Sequence, residues 1–203
     1  MLNTLFLNPP SYNGYDGGAG SRYQCTREVK SFWYPTWLAQ LAALVEGSRL
    51  IDAPARGITI EDILPLAKKY ELLVLYTSTP SFPNDVKIAE AFKYENKNLI
   101  IGFCGAHVAI NPDHSVLASN AIDFVAGNEF DFTIKEIAEG KILEQIDGLT
   151  YKKDNKPIHN KPRALIEDMD SLPWVTKVYK DNLVTSDYYN GYMLHPYMSF
   201  YTG

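Results

Sequence analysis

The chain has 203 residues, is 46% hydrophobic and 21% charged, and carries a formal net charge of -5. An acidic chain lacks the basic stripe that nucleic-acid binding needs, so no nucleic-acid partner is expected. No apolar run approaches the roughly 20 residues that span a bilayer, and no basic region precedes the first apolar run, so a cytoplasmic location is expected. Cys25 and Cys104 show no C-x-x-C or Cys/His ligand spacing and read as free thiols.

Thr4, Leu5, Phe6 and Leu7 form the first predicted strand, stopped by Asn8-Pro9-Pro10-Ser11. Two prolines hold that loop extended and rigid. Gly18-Ala19-Gly20 fails as a dinucleotide fingerprint, because position 23 is not glycine and no helix pattern follows directly. Pro35 suits a helix entrance and Gly47 its stop. A second strand over 48–54 ends in Pro54, and Thr59-Ile60-Glu61-Asp62 resembles a capping box that opens a helix to about Tyr70.

The central stretch is Leu72-Leu73-Val74-Leu75-Tyr76, followed by Thr77-Ser78-Thr79-Pro80-Ser81. Five apolar residues in a row suit a strand buried on both faces. Asn84 or Asp85 is expected to cap the next helix, with Val86, Ile88, Ala89 and Phe92 as its apolar stripe. The fourth strand spans 99–103, with Cys104-Gly105-Ala106-His107 as its terminal loop and a short helix after Asn111-Pro112. The fifth covers 122–126, runs into Gly127-Asn128-Glu129, and leads to a helix over 130–139.

Five β-α units in strict alternation predict an α/β fold, a parallel sheet in the flavodoxin-like order 2-1-3-4-5 with helices on both faces. Ligands in such sheets bind at the strands' carboxyl edge. There Thr77, Ser78 and Thr79 could donate hydrogen bonds, and Asp52 could accept a ribose hydroxyl or simply start a turn. His107 follows strand four, and Glu129 stands at a helix start, where stabilising the dipole is the simpler role. No spacing supplies catalytic machinery.

Beyond Gly140 a β-hairpin is expected around the polar turn at 152–156, then a surface linker over 163–174. Tyr197-Met198-Ser199-Phe200-Tyr201 reads as a strand without sheet partners, so residues after about 185 are expected to be poorly ordered or self-associating.

Taken together, Asn8-Pro9-Pro10-Ser11, the aromatic-proline entry to the first helix, Thr77–Ser81, Gly102–His107 and Gly127–Asp131 resemble the N-terminal cobalamin-binding domain of class B radical SAM enzymes. The hairpin at Ile146-Asp147-Gly148-Leu149 and Asp170-Ser171-Leu172-Pro173 match the same family. The resemblance implies a cobalamin-binding, Rossmann-like unit over 1–142, a hairpin and linker over 143–194, and the first strand of a radical SAM barrel over 195–203. It implies cofactor contacts from Asn8, Pro9, Pro10, Thr77, Ser78, Thr79, Gly105, His107, Asn128 and Glu129.

No Asp-x-His-x-x-Gly triplet is present, so cobalamin would be held without a histidine from that motif. In the family a cluster motif follows the last strand, so a [4Fe-4S] cluster and S-adenosylmethionine would be bound by a barrel in cis. This stretch alone is not expected to turn over. Residues 16–23 and 31–37 resemble the hopanoid-biosynthesis subgroup that makes the cyclitol ether of bacteriohopanetetrol. That subgroup would imply a membrane-lipid substrate and a peripheral membrane location. The rival readings are a flavodoxin-like nucleotide- or flavin-binding module and an interaction domain using its aromatic tail.

Overall fold

The computed structural model describes residues 1–12, 15–16, 24–25, 33–189 and 193–199. The glycine-rich stretch at 17–20, most of the proposed subgroup signature and the last four residues lie outside the described residues.

Five parallel strands form the sheet: β1 (Thr4–Asn8), β2 (Arg49–Asp52), β3 (Leu72–Tyr76), β4 (Ile100–Cys104) and β5 (Phe124–Ala126), in the expected order 2-1-3-4-5. The predicted hairpin, β6 (Leu149–Lys153) and β7 (Lys156–His159), is part of the same sheet and extends it antiparallel from β5. Asp154 and Asn155 both take positive φ in its two-residue turn, the backbone that matches strand twist.

Side chains alternate between two apolar cores. Phe6, Leu72 and Val74 face α1 (Thr36–Leu44), α7 (Phe130–Ala138) and α8 (Thr176–Asn182). Leu5, Leu7, Leu73 and Leu75 face the opposite core, with α3 (Ile60–Ile63), α4 (Phe82–Glu95), α5 (Ala106–Ile110) and α6 (Pro112–Leu117). The short helix α2 (Ala53–Arg56) follows β2. At Gly102, a β-carbon would lie 2.0 Å from Cζ of Phe124 on the neighbouring strand, so glycine makes room for that ring.

Several boundaries differ from expectation. The Thr59–Asp62 capping box forms, but after one α-turn the chain tightens into a 3-10 helix at Leu64–Lys68, where Pro65 denies an amide donor. Helix α4 starts at Phe82, not at an Asn84 or Asp85 cap; both are buried inside it. Helix α8 replaces plain linker: Val175, Val178, Tyr179 and Leu183 are spaced for one apolar face, and Tyr179 is fully buried against α1. Tyr188, within the stretch expected to be poorly ordered or self-associating, is 1% exposed, its ring stacked on Tyr34 and its hydroxyl bonded to Asp52. No strand is present over residues 197–199.

Candidate functional site

The carboxyl ends of β1, β3, β4 and β5 stand side by side, and their loops form one edge of the molecule. After β1, the buried Asn8 donates from Nδ2 to Asp52 Oδ1 at 2.7 Å, and the Tyr188 hydroxyl donates to Asp52 Oδ2 at 2.6 Å. Burial raises the Asp52 carboxyl to about 6 against the pull of those two hydrogen bonds. Asp52 is thus committed to internal partners. Tyr34 stacks on Tyr188 at 4.1 Å and tilts against Tyr179 at 4.4 Å, so the aromatic-proline entry to the first helix packs against the later part of the chain. Tyr188→Phe is expected to lower stability by about 1 kcal/mol at pH 5, read by urea unfolding. An unchanged midpoint would mean that this tether carries no load.

The Pro9-Pro10 segment is fixed from α4: Asn84 Nδ2 donates to the Pro10 carbonyl at 3.1 Å, and Asn84 Oδ1 accepts from the Tyr12 amide at 2.8 Å. Beyond β3, Thr77 turns inward and donates to Asp85 Oδ2 at 2.6 Å, and its amide bonds the Cys104 carbonyl at 2.8 Å. Burial lifts Asp85 to about 7 despite hydrogen bonds from Thr77, Ser81 and Asn84. Ser78 is partly exposed, its amide donating to Ser81 Oγ at 3.0 Å, and Thr79 is exposed.

Thr79 Oγ1 lies 3.1 Å from His107 Nδ1, joining the β3 and β4 loops. The His107 ring rests on Phe82 at 4.2 Å. Burial, then the neighbouring His114, holds its pKa below the ordinary value, so the imidazole is neutral at pH 7. Gly105, at φ +107, lies so close to Thr77 that a β-carbon would sit 2.6 Å from its carbonyl oxygen.

Asn128 and Glu129, after β5, stand apart from that group and line a cleft of 820 Å³ between α1, the start of α7 and residues 166–175. Trp37, Tyr76, Phe130 and Trp174 supply aromatic walls. Trp37 and Tyr76 lie nearly parallel at 6.3 Å, and Tyr76 meets Phe130 edge-on at 6.0 Å. Gln40 Nε2 donates to the Pro173 carbonyl at 3.2 Å, tying α1 to the segment that closes the cleft. Asp131, which sequence reasoning did not select, also lines it; burial and then Glu129 raise its carboxyl to about 6. Beneath, burial and then Asp131 push the Cys104 thiol up, leaving it an unreactive core residue.

The expected residues therefore form two groups: Asn8 to Pro10 with Thr77 to Thr79, Gly105 and His107 along the strand ends, and Asn128 with Glu129 in the cleft. Among the described residues, buried side-chain atoms without a hydrogen-bond partner are Asn8 Oδ1, Asp85 Oδ1, His107 Nε2 and Asp131 Oδ1. Asn8 ends β1, and Asp85, His107 and Asp131 lie in the first turns of α4, α5 and α7, the helices that follow β3, β4 and β5. Unsatisfied buried polar atoms are costly, and here they gather at the strands' carboxyl ends and in the helix turns that follow them. No group of three or more His, Cys, Asp or Glu side chains is placed to hold a metal ion among the described residues.

No protein-family model matches the sequence. An uncharacterised methyltransferase of Pyrococcus horikoshii is 32% identical over 148 residues, covering 68% of this chain and 32% of that protein. The cobalamin-dependent S-adenosylmethionine radical enzyme OxsB, solved with aqua-cobalamin and S-adenosylmethionine, superimposes with a TM-score of 0.61 at 15% identity. That match covers 81% of this chain and 23% of OxsB. The radical S-adenosylmethionine methyltransferase TsrM of Kitasatospora setae, solved with cobalamin and a [4Fe-4S] cluster, gives a TM-score of 0.59 at 14% identity, over 85% of this chain and 31% of TsrM. The chain spans about a third or less of each of these proteins. Its mostly parallel, Rossmann-like α/β domain thus has the fold found in cobalamin-dependent radical S-adenosylmethionine enzymes.

Proposed function

We propose that this chain is the cobalamin-binding part of a radical S-adenosylmethionine enzyme. The observation that carries the reading is the gathering of unsatisfied buried polar atoms at the carboxyl edge, beside an aromatic-walled cleft. Cobalamin fits such an edge, because its amide rim offers both donors and acceptors and its bulk needs a wide, shaped surface. When bound, it supplies a cobalt centre able to carry a methyl group.

The chain's own residues bind and orient. Asn8 Oδ1 would accept from an amide of the ligand, and the neutral His107 would meet another through Nε2, once the ligand opens access to these buried atoms. Pro9 and Pro10 present a fixed wall, and Ser78 and Thr79 offer hydroxyls. Gly105 keeps the β4 loop low so that the ligand can approach, while Thr77 holds that loop from beneath. Asn128 and Glu129 form the rim shared with the cleft. In this reading residues 1–142 are the binding unit, 143–194 the hairpin and linker, and 195–203 the entry to a barrel that binds S-adenosylmethionine and a [4Fe-4S] cluster.

The finer assignment to the hopanoid cyclitol-ether step rests on the resemblance at residues 16–23 and 31–37. It predicts that deleting the gene removes the cyclitol ether from the lipid extract and leaves bacteriohopanetetrol; an unchanged extract would refute it. This assignment implies a peripheral membrane association through the substrate; no helix of the described residues is long and apolar enough to cross a membrane.

Titration of the chain with hydroxocobalamin is expected to give a saturable shift of the cobalamin visible spectrum at one equivalent, with no saturable binding of flavin mononucleotide. Saturable flavin binding without a cobalamin shift would replace this reading with a flavodoxin-like module.

A further inference from the structure

Asn8 ends β1, Asp52 ends β2 and Tyr188 belongs to the tail, and the three are joined in one buried chain of hydrogen bonds. A primary amide has a donor end and an acceptor end of nearly equal shape and can present either, whereas an ionised carboxylate only accepts. The Tyr188 hydroxyl donates to Asp52 Oδ2 at 2.6 Å, and Asp52 Oδ1 is left for Asn8 at 2.7 Å. Only the Nδ2 end of Asn8 can face that oxygen, because turning the amide over would bring two acceptors together. The Asn8 oxygen is thereby forced away from Asp52, where it is buried without a hydrogen-bond partner. Asn8 and Asp52 are each 3% exposed, so water does little to soften this choice. A fold that had only to satisfy Asn8 gains nothing from an acceptor held unmade, which is costly in a buried place.

We propose that Asp52 is a positioning residue that sets ligand specificity: by fixing the polarity of the Asn8 amide, it makes this corner of the carboxyl edge take a ligand amide and reject a ligand carboxylate. The proposal rests on the cobalamin reading and deepens it, since cobalamin carries primary amides around its ring and its hydrolysis products carry carboxylates at the same places. A ligand N–H meets the Asn8 oxygen, and a ligand carboxylate meets it as one acceptor against another. The oxygen is buried, so the bond forms as the bound ligand parts the chain over it. Tyr188 holds the second oxygen of Asp52 and so brings the tail into the selection. Burial raises Asp52 to about 6 against the hydrogen bonds from Tyr188 and Asn8, which leaves it ionised at pH 8.

The test compares hydroxocobalamin with its monocarboxylic acids, each with one side-chain amide hydrolysed, by spectral titration at pH 8. One acid is expected to bind at least about tenfold more weakly than hydroxocobalamin, the worth of a hydrogen bond exchanged for a repulsion. Asp52→Asn supplies a donor to the Asn8 oxygen and lets Asn8 turn its NH2 to the ligand, so the penalty on that acid should fall to within about threefold. Removing a negative charge alone would relieve every acid alike, so relief confined to one acid separates positioning from plain electrostatics. Asn8→Ala should level the same pair from the other side, by weakening hydroxocobalamin and leaving that acid nearly unchanged, and it decides the matter even where Asp52→Asn does not fold. A readout without ligand is the Asn8 NH2 resonance, assigned by its loss in Asn8→Ala, whose protons should exchange more slowly than those of exposed asparagines. Equal binding of hydroxocobalamin and all the acids, uniform relief in Asp52→Asn, a penalty that survives in either variant, or fast exchange of the Asn8 NH2 would overturn the proposal and leave the cobalamin reading standing. A chain that binds no hydroxocobalamin would overturn that reading and this specificity with it.

Discussion

Gly105→Ala is expected to destabilise the chain by about 3–5 kcal/mol, a large share of the 5–15 kcal/mol that folds a typical domain. Two costs add. At φ +107 and ψ -179 the backbone lies where only glycine is at ease, which costs an alanine roughly 1–3 kcal/mol. The new methyl would also stand 2.6 Å from the Thr77 carbonyl oxygen. That oxygen cannot retreat freely, because the Thr77 amide is bonded to the Cys104 carbonyl at 2.8 Å and the Thr77 hydroxyl to Asp85 at 2.6 Å. Gly140→Ala is the control, since φ there is +81 but nothing lies within 4 Å of the added carbon. Urea unfolding of both variants separates conformational strain from the clash. Equal losses would show that the close approach at Gly105 is harmless.

The second large effect is a gain. Asp85→Asn is expected to stabilise the chain at pH 8 by about 1–2 kcal/mol, or roughly 2–8 °C in Tm for a domain of this size. The sign follows from the raised pKa. Folding shifts Asp85 from 3.8 to about 7, so the folded chain holds the proton more tightly than the unfolded chain. Its favourable contribution is full below about pH 4, falls as the pH rises through 7, and above that the buried carboxylate carries a penalty of up to about 4 kcal/mol. The amide avoids ionisation but gives up one acceptor in the Thr77–Ser81 network, which reduces the gain. The Tm difference between variant and parent should therefore grow steadily between pH 4 and pH 8. A constant difference would show that Asp85 titrates as an ordinary exposed carboxyl.

The sheet was legible in the sequence because each strand is an apolar run cut off by glycine, proline or hydroxyls, and strict alternation with helices left few topologies. Asn84 and Asp85 show where legibility ends. A cap and a buried hydrogen-bonding partner use the same residue types, and only the position of the β1 and β3 loops decides that these two face inward. Helix α8 was obscured by the carboxylates and proline just before it, although the spacing of Val175, Val178, Tyr179 and Leu183 carried the signal. The cleft had no local signature. Trp37, Phe130, Asp131 and Trp174 come from three separate stretches, and Asp131 alone reads as a helix-dipole residue. Asn8, Thr77, Gly105 and His107 could be placed at one edge from strand order, but not their division between supporting the loops and facing a ligand.

The central claim, that the carboxyl edge of this sheet is where cobalamin binds, is tested most directly by amide hydrogen exchange with and without hydroxocobalamin. The account predicts slowed exchange at Asn8, at 77–79, at 105–107 and at 128–129, with β2, β7 and the amino edge of the sheet unchanged. Protection confined to the hairpin or the amino edge, or no change at saturating cobalamin, would contradict it.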